Sequence, residues 1–378
     1  MRIMNKLLFL LMLVLFFNSC GNNNQISPNS EYFRYIGRFD FTNPKAPKFA
    51  HTGSMIEFKF KGIWFDIILN DISSEGAENK NYYNVLKNGD IIDVIGIEPY
   101  KNKYHIKVNS PDSFAVIQIF KRTESHCGIA VFKGISFNDG LLKKTVPKKR
   151  KTEWIGDSFM AGYGNLVTIM PPPKGNPNTG FHAKNEDGFH AFGAITSRKL
   201  NADYSCIAIS GQGVYRNFNV GEEWTLPKVY PYLFPDSSWM NKYDFSYKPD
   251  LIVIKIGTND FGAEMRKPPI MTDSTRFVST YLSFLELVIQ KNPNAKIVLA
   301  VGGGISDSFP YGLKRLTRFT TWVKTVKSET TKKFDTQIGF FEFQLMNPPY
   351  GEDWHPTKKD QYRFADEITP YIKEFMGW

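Results

Sequence analysis

Four short polar blocks carry the residue types that acyl transfer requires. Gly156-Asp157-Ser158 offers a hydroxyl, Ser210-Gly211-Gln212-Gly213 a glycine amide, Gly257-Thr258-Asn259-Asp260 a side-chain amide, and Asp353-Trp354-His355-Pro356 an imidazole with a carboxylate close by. A serine hydroxyl is too weak to attack an ester alone; it needs a base to take its proton and donors aimed at the oxyanion that forms. Each block alone also reads as a turn, a loop or a helix start. Their order along one chain, each beyond an apolar run, is what points to chemistry.

Those runs define the element that must position them. Residues 154–155, 204–209, 251–256, 297–301 and 338–343 are short and apolar, and helical patterns at 276–290 and 312–331 alternate with them. This alternation predicts a parallel sheet wrapped by helices, with the ligand beyond the carboxyl ends of the strands. Two Pro- and aromatic-rich insertions, 165–188 and 218–247, interrupt the pattern.

Before residue 148 the periodicity changes. The runs 55–60, 63–69, 91–97, 104–108 and 114–120 are rich in Ile, Val and Phe and separated by Gly, Asn, Asp and Pro, which predicts an all-β sandwich. Between the halves lies Lys143-Lys144-Thr145-Val146-Pro147-Lys148-Lys149-Arg150-Lys151, read as a solvated linker. The expected division is 1–19 signal peptide, 20–31 tether, 32–147 β domain and 148–378 α/β domain.

The chain has 378 residues, 42% of them apolar and 22% charged, enough to bury two cores. It opens with Arg2 and Lys6, an apolar stretch of residues 7–17, and small or polar residues ending at Cys20. That stretch is too short to span a bilayer and reads as an export signal. Phe17-Asn18-Ser19-Cys20 resembles a bacterial lipobox, so Cys20 is the expected lipidation site and the chain an exported lipoprotein. The net charge of +10 falls to about +8 without Arg2 and Lys6, and an exported chain meets little nucleic acid, so no nucleic-acid partner is expected. Cys127 and Cys206 fall in different halves and read as small buried residues rather than a disulfide. No Cys/His spacing suggests zinc.

The four blocks resemble those of the SGNH, or GDSL-like, hydrolases, whose Ser, Gly, Asn and His stand here at Ser158, Gly211, Asn259 and His355. Met160 stands where a G-x-S-x-G elbow would need its second glycine, so the likeness is not to the usual α/β-hydrolases. The resemblance implies Ser158 as nucleophile, His355 as general base, and an oxyanion hole of the Ser158 and Gly211 amides with the Asn259 side chain. The orienting carboxylate is open between Asp353 and Glu352, since the wider superfamily writes Asp-x-x-His. Asp-Trp-His-Pro is similar to the form of a narrower group, the family 2 carbohydrate esterases, which implies Asp353. That group carries a jelly-roll domain first, and Gly37-Arg38 and Lys121-Arg122-Thr123-Glu124-Ser125-His126-Cys127-Gly128 continue the likeness.

What the resemblance implies is a two-domain esterase, an N-terminal jelly roll before an α/β/α domain with a five-stranded parallel sheet. It would remove O-acetyl groups from polysaccharides or oligosaccharides of xylan or glucomannan type, without metal or cofactor and without an obligate protein partner. Trp354, Trp224 and Trp239 are the candidate glycan contacts, with Tyr230 and Tyr232 beside them in the second insertion. His190 is the one rival base. A membrane-tethered lipase and a non-catalytic glycan-binding lipoprotein are the alternatives.

Overall fold

The computed structural model describes residues 24–72, 79–235 and 241–378; the signal segment, Cys20 and Trp239 lie outside the described residues. The first half is antiparallel. Its strands are β1 (Asn24–Ile26), β2 (Arg34–Ile36), β3 (Lys48–Phe49), β4 (Met55–Ile72), β5 (Tyr82–Lys87), β6 (Asp90–Gly96), β7 (Lys103–Lys121), β8 (Ile129–Phe137) and β9 (Leu141–Lys143). They form one sheet in the order β1-β8-β4-β7-β5-β6, with β2 and β9 added to β4 and β3 to β8.

The sheet folds over on itself because its two longest strands are bent. The β4/β7 register slips on both sides of Gly62, where an extra residue sharpens the local twist. The two arms of β4 thus face each other, and Phe58 and Phe60 of the first arm meet Phe65 of the second at 5.4 and 5.2 Å. The enclosed Phe- and Ile-rich core is the sandwich expected from the sequence. Two strand pairs read as separate, 55–60 with 63–69 and 104–108 with 114–120, are single bent strands. The expected tether also contributes structure, since β1 pairs with Ile135–Phe137 of β8.

The second half is a five-stranded parallel sheet, β11-β10-β12-β13-β14, built from β10 (Arg150–Gly156), β11 (Ala202–Ala208), β12 (Leu251–Lys255), β13 (Lys296–Gly302) and β14 (Ile338–Phe343). The helices are α1 (Ser158–Ala161), α2 (Phe192–Lys199), α3 (Leu226–Val229), α4 (Ser274–Lys291), α5 (Arg315–Lys333) and α6 (Lys358–Met376). Successive strand residues point to opposite faces. Ile252, Ile254, Ile297 and Leu299 therefore pack with Phe277 and Phe284 of α4 and Phe319 of α5, while Val253, Val298 and Ala300 pack with Ile195 of α2 and Phe364 and Ile368 of α6. Both faces are covered, which is why these strands read as unbroken apolar runs.

The halves share buried contacts. Ala50 and Ile129 join one core of the parallel domain and Leu86 and Phe120 the other. Arg34 donates to Asp203 at 2.6 Å and to Glu57 at 2.7 Å. Arg38 is buried, donates to the Tyr232 carbonyl at 3.0 Å and to that of Tyr230, and lies 4.2 Å above the Tyr243 ring. Cys127 and Cys206 are both buried and free.

Candidate active site

Ser158 sits directly beyond β10, at the start of α1. Asp157 caps this short helix by accepting from the Phe159 N–H at 3.1 Å. The Ser158 N–H is one of the first helical donors, which have no acceptor within the helix, and is free to face an anion. His355 Nε2 lies 2.7 Å from Ser158 Oγ. The structure thus joins residues 197 positions apart.

The other His355 nitrogen, Nδ1, lies 2.9 Å from the main-chain carbonyl of Glu352. A carbonyl can only accept, so Nδ1 carries the proton and Nε2 is left as the acceptor for the serine hydroxyl. Neither candidate carboxylate takes the orienting place. Asp353, expected there, accepts instead from Tyr163 Oη at 2.5 Å and from the Thr179 and Gly180 N–H groups at 3.0 Å each. Glu352 accepts from His182 Nδ1 at 2.7 Å and Asn185 Nδ2 at 2.6 Å.

The backbone explains this. Asp353 and Trp354 are consecutive non-glycine residues in the left-handed region, φ 45° and 62°, a conformation that costs about 1–3 kcal/mol per residue. The turn swings the Asp353 side chain toward the first insertion and presents the Glu352 carbonyl to the imidazole. Gly164 lets the turn close against the first block: a Cβ there would come within 2.4 Å of Glu352 Cβ.

Tyr163 was not singled out by the sequence reading. Its ring stacks on His355 with centroids 4.2 Å apart, while its hydroxyl is tied to Asp353. Asp353 therefore acts on the imidazole through Tyr163 and through its charge. Burial lowers the His355 pKa from its ordinary value; the Glu352 carbonyl and the Asp157 and Asp353 charges pull it partly back.

On the oxyanion side, Gly211 has φ +77°, a conformation glycine adopts freely. Asn259 Nδ2 donates one hydrogen to the Gln212 carbonyl at 2.8 Å, which fixes the amide and leaves its second hydrogen for a ligand. Asp260, the last residue of the same block, is buried and accepts from the Val214, Tyr215 and Arg216 N–H groups at 2.8, 2.9 and 3.1 Å. Ser158 thus meets His355, and Asn259 meets Gln212, beyond the carboxyl ends of the adjacent strands β10, β11 and β12.

Comparison with known proteins places both halves of the chain in described families. Residues 35–146 match the family described as carbohydrate esterase 2 N-terminal, and residues 154–360 match the GDSL-like lipase/acylhydrolase family. The structure superposes on a family two carbohydrate esterase from Clostridium thermocellum, solved with cellohexaose, with a TM-score of 0.79 and 31% identity over 92% of this chain and 99% of that one. The chain belongs to the family 2 carbohydrate esterases. An acetylxylan esterase/glucomannan deacetylase of Cellvibrio japonicus is 30% identical over 74% of both chains. A cellulase/esterase of Acetivibrio thermocellus is 31% identical over 91% of this chain, which spans 39% of that protein's length.

Within this esterase fold the remaining candidates separate. Trp354 is 43% exposed beside the base, its ring 5.3 Å from that of Tyr350. Trp224 is 38% exposed in the second insertion, whereas Tyr230 is buried at the domain junction and donates to Glu153 at 2.6 Å, so it does not face a glycan. His190, the rival base, is buried with Nδ1 3.2 Å from Tyr362 Oη. The two N-terminal motifs are junction elements. Arg38 reaches the second insertion, and Arg122 donates to the Glu186 carbonyl at 2.6 Å. Sequence reasoning had no means to find these roles, since a polar residue in a β domain reads as surface until the partner domain covers it.

Proposed function

We propose that this esterase removes O-acetyl groups from polysaccharides or oligosaccharides of xylan or glucomannan type through a Ser158–His355 pair. The observation that carries the reading is the 2.7 Å contact of Ser158 Oγ with an imidazole whose other nitrogen is held by the Glu352 carbonyl. His355 Nε2 takes the hydroxyl proton as Ser158 Oγ attacks the acetyl carbon, and the oxyanion forms facing the Ser158 and Gly211 N–H groups and Asn259 Nδ2. The tetrahedral adduct collapses, His355 returns the proton to the departing sugar oxygen, and an acetyl-serine remains. Water then attacks, again giving its proton to His355, and acetate leaves as Ser158 is restored.

Two relatives support the acetyl-glycan substrate: the Cellvibrio japonicus acetylxylan esterase/glucomannan deacetylase and the family two esterase solved with cellohexaose. Trp354 and Trp224, exposed rings of the kind that stack on sugars, are the proposed contacts on this chain. Export as a lipoprotein through Cys20 is part of the same proposal and rests on the N-terminal sequence.

The test is acetate release from acetylated xylan and glucomannan, with and without a chelator. The wild type should release acetate in both conditions, since serine chemistry needs no metal. Ser158→Ala should lose about 10⁴-fold or more in kcat while melting within a few degrees of the wild type. Retained activity in Ser158→Ala, or abolition by the chelator, would overturn the mechanism.

A further inference from the structure

The oxyanion-hole block is held from outside its own domain. Glu124 belongs to the antiparallel half and is fully buried. Its Oε2 accepts the Ser210 N–H at 2.6 Å and its Oε1 accepts the Ser210 hydroxyl, a two-point grip across 86 residues of sequence. Ser210 shares a peptide plane with the Gly211 N–H. The far side of Gly211 is also fixed, its carbonyl accepting from the Phe218 N–H at 2.8 Å. With Ser210 gripped on one side and the Gly211 carbonyl on the other, the peptide between them, which carries the Gly211 N–H, is constrained from both ends.

Glu124 is itself anchored from both halves. Lys121 Nζ donates to the Thr123 and Glu124 carbonyls at 2.8 and 3.1 Å, and the Glu124 N–H donates to Glu186 at 3.0 Å. His126 Nδ1 lies 3.2 Å from the Glu124 carboxylate. Burial alone would raise the Glu124 pKa, but the His126 charge and the Ser210 donors outweigh it and hold the group below the usual carboxylate range. Glu186 moves the opposite way, pushed up by burial and by the Glu124 charge.

We propose that Glu124 is a positioning residue of the oxyanion hole, supplied by the jelly-roll half to aim the Gly211 N–H. This rests on the esterase reading of the same site. The Arg34 and Arg38 grips land elsewhere, on Asp203 at the start of β11 and on the carbonyls of Tyr230 and Tyr232, while Arg122 holds the Glu186 carbonyl of the first insertion. Loss of one oxyanion donor costs about 10² to 10³ in rate, so a misdirected donor should cost about 10- to 100-fold.

The full chain, its active sites counted by titration with a serine-directed phosphonate, provides the test. Glu124→Gln keeps the shape but removes the charge, exchanging two charge-assisted bonds to Ser210 for weaker neutral ones, one of them reversed. Per titrated site, kcat on an acetate ester should fall about 10- to 100-fold with KM within about twofold, and affinity for a boronic acid mimic of the tetrahedral adduct should fall in parallel. Arg34→Met, which removes a junction contact remote from the hole, should lower the melting temperature and leave kcat per site unchanged. If Glu124→Gln does not fold, Ser210→Ala decides, with a loss of about fivefold or more in kcat expected from removal of one of the two grips. Wild-type kcat per site in either folded variant would overturn the proposal. A wild type that neither labels at Ser158 nor hydrolyses the ester would overturn the esterase reading and this one together.

Discussion

The two sides of the Ser158–His355 pair are held by opposite uses of the same groups. On the oxyanion side carboxylates grip the backbone: Asp260 accepts three consecutive N–H groups, and Glu124 accepts the N–H and hydroxyl of Ser210. On the base side the backbone grips the catalytic ring, with the Glu352 carbonyl on Nδ1 while the Glu352 and Asp353 carboxylates brace the surrounding loop. Among the described residues no carboxylate hydrogen-bonds the Ser158 hydroxyl or the His355 ring, although five shape the site. What the imidazole requires is an acceptor that fixes its tautomer, and a carbonyl supplies that without placing a full charge against the ring. The cation that forms during reaction is then stabilised less, since charge-assisted hydrogen bonds are roughly twice as strong as neutral ones. The Asp157 and Asp353 charges compensate through space.

The largest effect is expected on the oxyanion side. Asn259→Ala removes a side-chain donor, and kcat for acetate release should fall about 10² to 10³-fold with KM little changed. A loss below about fivefold would mean that the Asn259 amide does not reach the oxyanion.

On the base side the expected signature is a displaced pH profile. His355 must be neutral to accept the serine proton, and its folded pKa is lowered, chiefly by burial. The neutral form therefore persists to lower pH than in a free histidine. The acid limb of kcat/KM should have its midpoint below about 6.5 and the profile should be flat above pH 7. A midpoint above 7 would show that the carboxylates outweigh burial and act as a triad member would.

The asymmetry between the two sides also marks what the sequence could show. Ser158, Gly211, Asn259 and His355 were legible because each follows an apolar run whose two-faced burial fixes where the chain turns, and parallel pairing gathers those turns at one edge. The orienter was not legible, because Glu352-Asp353-Trp354-His355 places two carboxylates and several backbone carbonyls beside one imidazole in sequence. Only the two positive φ angles, invisible in residue types, select the carbonyl. In the first half Gly62 read as a break between strands, since a glycine at a bulge and one at a turn look alike in sequence. The strands 82–87 and 129–137 were not singled out; the second carries Lys133 and Gly134 at its middle, which interrupt its apolar pattern. Arg38 and Glu124 were visible as motif residues, yet their purpose emerges only where a second domain buries them.

The smallest effect on rate is expected from removing the Asp353 charge. Asp353→Asn keeps an acceptor for the Thr179 and Gly180 N–H groups, removes the charge, and leaves Tyr163 a polar partner that now donates to its hydroxyl. Where the aspartate hydrogen-bonds the imidazole in a Ser-His-Asp triad, the same change costs about 10⁴-fold, because the amide traps the wrong histidine tautomer. Here the Glu352 carbonyl sets the tautomer, so kcat for acetate release should remain within about tenfold of wild type, the remainder reflecting lost through-space stabilisation of the imidazolium. A fall of about 10³-fold or more, in a protein that melts like the wild type, would place Asp353 on the imidazole and contradict the carbonyl-oriented pair.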